Sequence, residues 1–189
     1  MTSHPVAIAD APTQDRLDRS RVLRAFNLSL AAVLLLVAVF TAQGMFDWRA
    51  WAVAPLQADG LIGILTAPLL HGSLAHLGAN AAALLILGTL AGSVYPRATA
   101  MALPLLWLGS GLGAWLLGDP GSRHLGASGV THGLMFLVFV LGLLRRDRPA
   151  IATSMIAFLF YGGMLMTILP HEAGVSWQSH LGGAVAGLI

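Results

Sequence analysis

Four polar side chains in this sequence have the types and spacing that hydrolysis of an acyl group needs. His76 and Asn80 lie four residues apart, so both project from one face of a helix, about one turn apart. Ser128 opens one later apolar run and His180 opens another. A serine hydroxyl within hydrogen-bond reach of an imidazole is the minimum for nucleophilic acyl transfer. Because the chain has no Cys, the nucleophile has to be Ser or Thr.

The same residues offer groups that could stabilise the transition state. Attack on a carbonyl develops an oxyanion, and each donor placed for it contributes about 3–4 kcal/mol. The available donors are the amide of Asn80, the ring N–H of His76 and the backbone N–H of Ser128. Water must also reach the site, and His71, Ser73 and the Gly-rich 118–126 loop predict a cavity open to the outside.

The composition places these side chains in a membrane protein. Of 189 residues, 57% are hydrophobic and 10% charged, and the mean hydropathy is +0.78. A membrane helix takes about 20 apolar residues, so six helices use roughly 120 and leave no room for a sizeable extramembrane domain. The runs predict an all-α bundle of six helices at about 25–46, 72–94, 99–117, 127–144, 150–169 and 178–189.

The two ends of the chain differ from this pattern. Residues 1–24 are polar and predict a disordered cytoplasmic tail that precedes a membrane domain at 25–189. The last apolar run has twelve residues, which cover only about 18 Å as a helix. We therefore expect that this helix is truncated.

The arginines predict the orientation in the membrane. All ten basic residues are Arg, and they flank apolar runs instead of forming the single patch that nucleic-acid binding would need. Eight of them fall at connections that share one side, namely 16, 19, 21, 24, 97, 145, 146 and 148, and only Arg49 and Arg123 fall on the other. The positive-inside rule then predicts a multi-pass protein of the inner cell membrane with a cytoplasmic N-terminus.

Glycines on two of the predicted helices could allow Ser128 and His180 to approach each other. The second, fourth and sixth predicted helices all start on the outer side, so their first turns lie at a similar depth. Gly129 and Gly133 on the fourth helix, and Gly183 and Gly187 on the sixth, have the spacing that permits close backbone contact in lipid. Each motif alone is compatible with ordinary helix packing or interhelical hydrogen bonding. Their joint occurrence at the same ends of alternate helices favours a site.

The motifs together resemble the rhomboid family of intramembrane serine proteases, from about residue 25 to 189. The matching residues are His71, His76 and Asn80 on the second helix, Gly126, Ser128 and Gly129 before and in the fourth, and His180, Gly183 and Gly187 on the sixth. The resemblance implies a six-helix fold, with Ser128 as nucleophile and His180 as general base and then acid. It also implies an oxyanion hole of His76, Asn80 and the Ser128 N–H, a tight loop permitted by Gly126, and a supporting or water-organising role for His71.

Two positions depart from the family pattern. Many relatives carry a Trp-Arg pair shortly before the second-helix motif, whereas that stretch here is the apolar 61–66, and the pair Trp48-Arg49 is distant. Many relatives also carry Tyr four residues after the nucleophile, where this chain has His132. His132 could stack on His180 as the Tyr does, act as a second titrating imidazole, or be a hydrogen-bonded structural residue; we favour the structural role.

The resemblance implies substrates that are transmembrane proteins, cut near the outer end of a helix at a locally unwound stretch with small side chains. We expect entry past the fifth helix, near Gly162 and Gly163, under a cap at 170–177, with no metal or cofactor. Three alternatives remain: an inactive rhomboid-like binding or trafficking protein, a small transporter, and a metalloprotein using His71, His76 and His180 with Glu172 or Asp119.

Overall fold

The computed structural model of the chain describes residues 11–170 and 174–189, with side chains described from Gln14 onward. Its described part is helical, and the only strand-like pairing there is an isolated bridge between Val53 and His124. The helices are α1 (Ala11–Ala42), the short α2 (Gly63–Thr66), α3 (Leu74–Val94), α4 (Pro96–Leu117), α5 (Ser128–Arg145), α6 (Arg148–Tyr161) and α7 (Trp177–Leu188). The predicted all-α fold is therefore confirmed.

Five helices in the described ranges are long and apolar enough to cross a membrane. They correspond to α1, α3, α4, α5, and α6 together with the 3₁₀ segment Gly162–Ile168 that continues it. The sixth predicted helix is α7, which has 12 residues. Each observed boundary lies within four residues of its prediction, except at the start of α1 and the end of α6.

The start of α1 corrects part of the predicted tail. The helix begins at Ala11, so residues 11–24 are helical instead of disordered; residues 1–10 lie outside the described part. Side chains one turn apart favour this helical extension: Gln14 donates to Asp18 at 3.0 Å, and Arg21 pairs with Asp18 at 3.4 Å. Polarity alone does not distinguish a solvated helix from a disordered tail.

The central helices of the bundle are α5 and α7. α7 packs against both α4 and α5, while α1 packs on α3, and α6 on α5. The largest apolar cluster lies among α3, α4, α5, α6 and α7, with fully buried residues that include Leu87, Leu106 and Val138. This arrangement brings the first turns of α3, α5 and α7 to the same end of the bundle.

The loops at that end are joined to one another. The backbone of Val53, in the long connection between α1 and α3, forms two hydrogen bonds with His124, of 2.9 and 3.0 Å. His124 Nδ1 lies 2.6 Å from the hydroxyl of Ser176, just before α7. The connection at 47–71, the loop before α5 and the segment before α7 therefore form one connected layer over the helix ends.

Candidate active site

Ser128 and His180 meet at the start of two packed helices. Ser128 is the first residue of α5, and His180 lies in the first turn of α7. The Nε2 atom of His180 is 2.9 Å from the Ser128 hydroxyl oxygen. His180 is buried and Ser128 is half-buried. The geometry is that of a hydroxyl hydrogen-bonded to an imidazole.

Glycines allow this approach of α5 and α7. A Cβ built on Gly183 would collide with the carbonyl oxygen of Gly129 and lie 2.6 Å from its carbonyl carbon. One turn deeper, a Cβ on Gly187 would collide with the Gly133 carbonyl in the same way. The structure therefore brings the four predicted glycines into two backbone contacts, and no larger residue fits at Gly183 without a shift of the helices.

The hydrogen bonds of His180 fix which ring nitrogen carries its proton. Its Nδ1 lies 3.0 Å from the backbone carbonyl oxygen of Thr167. A carbonyl can only accept, so Nδ1 carries the hydrogen and Nε2 has a free lone pair directed at the Ser128 hydroxyl. This is the tautomer that a general base needs. Thr167 was not predicted from the sequence.

His132 stacks on His180. The two ring centroids are 3.8 Å apart, and the ring planes differ by 12°. His132 Nδ1 is 2.7 Å from the Ser128 carbonyl oxygen, and Nε2 is 2.8 Å from the Thr167 hydroxyl. The geometry thus includes both the stacking and the hydrogen-bonded position that the sequence left open. A second titrating role for His132 stays a prediction.

His76, Asn80 and Gly126 form the opposite wall of the site. Asn80 is buried, and its side-chain amide donates to the backbone carbonyl of His76 at 3.1 Å. Gly126 has a φ of +112°, and a Cβ there would lie 2.5 Å from His76 Cε1 and 2.7 Å from its Nε2. The chain entering α5 therefore lies against the His76 ring, and its positive φ favours glycine, while a side chain at this position would displace the ring.

His71 lies behind His76, with the ring centroids 5.0 Å apart. The side chain of Gln43 holds its backbone in both directions: Gln43 Nε2 donates to the His71 carbonyl at 2.9 Å, and the His71 N–H donates to Gln43 Oε1 at 2.8 Å. Within the described residues, the His71 ring nitrogens have no hydrogen-bond partner. Burial, together with the nearby His76, lowers the pKa of His71 to about 4, so the ring is neutral near pH 7.

A cavity of about 1050 Å³ connects these groups with the loops. Its lining includes Ser128, His180, His76 and Asn80, together with His132 and Ser73. Other lining residues come from the loop before α5 and from the segment that follows α6, such as Arg123, Met164 and Trp177. The predicted cap at 170–177 lies partly outside the described residues, which omit 171–173.

The cavity also contains His124, which contacts two serines and was not predicted from the sequence. His124 Nε2 is 2.8 Å from the Ser122 hydroxyl, and Nδ1 is 2.6 Å from the Ser176 hydroxyl. The Ser122 hydroxyl donates to the Asp119 carbonyl at 2.6 Å, so it accepts from His124 and is not activated by it. Burial lowers the pKa of His124, and the nearby Asp119 carboxylate partly opposes this effect.

The metal alternative receives no support from the geometry. Among residues 11–170 and 174–189, no three His, Asp or Glu side chains lie close enough to bind one metal ion. Glu172, one of its proposed ligands, lies outside the described residues.

The fold and cavity define a multi-pass helical membrane protein with a serine–histidine pair at one end of its bundle. The model of the Rhomboid domain matches residues 58–189, more than half of the chain. The chain belongs to the rhomboid family. Among its relatives are two mycobacterial proteins described as uncharacterized. Rv1337 of Mycobacterium tuberculosis is 40% identical over 174 residues, covering 86% of this chain and 71% of the relative. ML1171 of Mycobacterium leprae is 37% identical over 142 residues, covering 71% of this chain and 56% of the relative.

Proposed function

We propose that this protein is an intramembrane serine endopeptidase that cuts transmembrane proteins near the outer end of a helix through Ser128 and His180. The 2.9 Å hydrogen bond between the Ser128 hydroxyl and His180 Nε2 carries the proposal. The Thr167 carbonyl supports it, because it keeps the proton of His180 on Nδ1 and leaves Nε2 free to accept.

The reaction follows from these contacts. Ser128 Oγ attacks the scissile carbonyl carbon as its proton moves to His180 Nε2. The tetrahedral intermediate collapses, the C–N bond breaks, and the leaving amine takes the proton from Nε2. Water then enters the cavity, gives a proton to His180 and attacks the acyl ester, and collapse returns the proton to Ser128 Oγ. No cofactor is consumed, because hydrolysis is downhill.

The opposite wall supplies the groups for the oxyanion. The Asn80 amide has two N–H groups, and the contact with the His76 carbonyl uses one of them. The His76 ring and the backbone N–H of Ser128 complete the proposed hole. Gly126 supports this assignment, because its backbone passes over the His76 ring and fixes the position of that ring relative to Ser128.

The substrate's route follows from the cavity lining. Met164 and Pro170 belong to the segment after α6, and both line the cavity. None of the residues in the 3₁₀ segment Gly162–Ile168 is fully buried, and no atom of the described residues lies within 4 Å of a Cβ built on Gly163. A substrate entering laterally past this segment would reach Ser128 directly. The arginine distribution supports an orientation in which this end of the bundle faces the outside of the cell.

The main alternative is a family member that binds membrane proteins without cutting them. Such a protein has no need for a serine and a histidine within hydrogen-bond distance in a cavity. A transporter is disfavoured because the spanning helices contain no charged residue in their middle turns. Cleavage of a model transmembrane substrate in detergent separates these functions.

The decisive experiment uses a serine-directed fluorophosphonate probe on the purified full chain. We expect the native protein to be labelled, and Ser128→Ala and His180→Ala to lose both labelling and cleavage. Ser122→Ala is the matched control, because Ser122 is another cavity serine that contacts a histidine, and it should stay labelled. Normal cleavage by Ser128→Ala, or loss of labelling only in Ser122→Ala, would refute the assignment.

A further inference from the structure

Thr167 contacts both stacked imidazoles through two different groups. Its backbone carbonyl oxygen is 3.0 Å from His180 Nδ1, and its hydroxyl is 2.8 Å from His132 Nε2. Thr167 lies in the 3₁₀ segment Gly162–Ile168, which follows α6 and supplies Met164 to the cavity wall. A single residue outside α5 and α7 therefore borders both rings.

The proton positions on His132 follow from its partners. Nδ1 lies 2.7 Å from the Ser128 carbonyl oxygen, which can only accept, so Nδ1 carries the hydrogen. In a neutral ring, Nε2 is then an acceptor, and the Thr167 hydroxyl must donate to it. That hydroxyl has one proton and a second possible acceptor, the Met164 carbonyl at 3.0 Å. With a neutral His132 ring, this one proton can serve either Nε2 or the Met164 carbonyl, and the contact with His132 uses it for Nε2.

We propose that Thr167 is the positioning residue of the Ser128–His180 pair and that the segment carrying it couples the cavity wall to the alignment of the base. The inference rests on the proposed function. The carbonyl of Thr167 sets the His180 tautomer, and its hydroxyl holds the His132 ring against the His180 face. A displacement of this segment would withdraw both contacts at once, so the segment has to occupy this position when Ser128 attacks.

The Thr167 carbonyl would also stabilise the protonated form of His180 during the proposed reaction. When His180 takes the Ser128 proton, the ring becomes a cation with N–H groups on both nitrogens. The Thr167 carbonyl then accepts from a charged donor, and such a hydrogen bond is stronger than a neutral one. The face of the neutral His132 ring, 3.8 Å away, also borders the cation. Thr167 therefore stabilises the state that forms during attack more than the resting state.

The side-chain half of the proposal is tested with Thr167→Val and Thr167→Ser in the full chain. Valine keeps the volume and removes the hydroxyl, whereas serine keeps the hydroxyl. We expect Thr167→Val to lower kcat and the rate of fluorophosphonate labelling about tenfold, the factor that corresponds to one hydrogen bond, with KM little changed. Thr167→Ser should restore most of the loss. Thr153→Val, a buried threonine on α6, is the matched control.

A second background tests whether the effect passes through His132. In His132→Phe, the stacked ring remains but has no nitrogen for the Thr167 hydroxyl, so adding Thr167→Val should lower the rate no further. Equal additional losses in both backgrounds would overturn the proposed contact.

The backbone half is tested by replacing Ile168 with its α-hydroxy analogue. The resulting ester weakens the Thr167 carbonyl as an acceptor without changing any side chain. We expect a larger loss of kcat than for the same replacement at Met166, which weakens the carbonyl of Leu165. A native protein labelled at Ser128, with unchanged rates in Thr167→Val and in the Ile168 ester, refutes this inference and leaves the proposed function intact. Absence of Ser128-dependent labelling in the native protein refutes the function itself.

Discussion

Replacement of Gly183 by alanine, which adds a single methyl group, should separate the Ser128 hydroxyl from the His180 ring. A Cβ at this position would collide with the Gly129 carbonyl oxygen and lie 2.6 Å from the carbonyl carbon. Ordinary contact begins at about 3.4 Å, so in Gly183→Ala the carbonyl carbon alone requires α5 and α7 to move apart by about 0.8 Å, and the nearer carbonyl oxygen makes this a lower bound. Because both partners are backbone atoms, no side-chain rotation relieves the overlap.

The magnitude follows from the position of the contact. Gly183 lies one turn from His180, and Gly129 follows Ser128 directly. If the displacement reaches the site undiminished, the 2.9 Å hydrogen bond lengthens to about 3.7 Å and is lost. A misplacement of about 1 Å can cost roughly a hundredfold in rate. The overpacking itself should cost about 1–3 kcal/mol of stability.

The assay measures cleavage of a model transmembrane substrate and the thermal unfolding of the variant in the same detergent. Gly78→Ala is the control, because Gly78 also lies in a helix but a Cβ there would have no neighbour within 4 Å in the part of the chain that the structure describes. We expect Gly78→Ala to retain full activity and Gly183→Ala to lose kcat about a hundredfold. Full activity of Gly183→Ala would mean that α5 and α7 are not in contact at Gly183. It would also contradict the placement of Ser128 against His180.

Two further predictions concern the wall of the cavity opposite Ser128 and His180, where Asn80 and His76 lie with His71 behind them. Asn80→Ala should lower kcat about a hundredfold with little change in KM if the amide stabilises the oxyanion, and an unchanged kcat would leave Asn80 a packing residue only. Burial lowers the pKa of His71 to about 4 from its ordinary 6.5, so the unfolded chain binds more protons than the folded chain between these values. The contribution of His71 to the free energy of unfolding should be fully present above pH 6.5 and should decline as the pH falls toward 4, by about 3 kcal/mol at most. Denaturation of the native protein and of His71→Leu at pH 7.5 and 4.5 measures this contribution. An equal loss of stability in both proteins contradicts the prediction.

The spans and the meeting of Ser128 with His180 were accessible from the sequence because both depend on local patterns. Apolar runs of sufficient length predict membrane helices whatever their neighbours are. The glycine spacings on α5 and α7 predict a close contact, and the polar residues one turn from these glycines are then brought together. Periodicity and length were sufficient for this part of the structure.

The partners that orient the site could not be predicted in this way. Thr167 acts on His180 through its backbone carbonyl, a group that every residue possesses, so no residue type marks it in the sequence. Gln43 reaches the backbone of His71 across 28 positions, and a lone glutamine at the end of an apolar run has many other uses. Such contacts depend on the three-dimensional arrangement of the helices.

The close contact between α4 and α7 through glycines was also not predicted from the sequence. A Cβ on Gly113 would collide with the Gln178 carbonyl and lie 2.9 Å from the Cα atom of Gly182, so α7 is as close to α4 as to α5. The predicted helix contact involved only the glycines on α5 and α7. The sequence contains many glycines, and nothing in their spacing distinguishes those that face a helix from those that face lipid.

A carbonyl that orients the proposed base, His180, is consistent with the membrane environment of the site. Serine hydrolases commonly hold the histidine with a carboxylate, which fixes the tautomer and stabilises the imidazolium. A buried carboxylate must be desolvated, and that cost in a membrane-embedded site amounts to several kcal/mol. The Thr167 carbonyl fixes the same tautomer with a neutral group that belongs to the backbone. Because Thr167 lies in the last turn of the 3₁₀ segment Gly162–Ile168, its carbonyl has no following helical turn to bond, and the end of this segment supplies the orienting group.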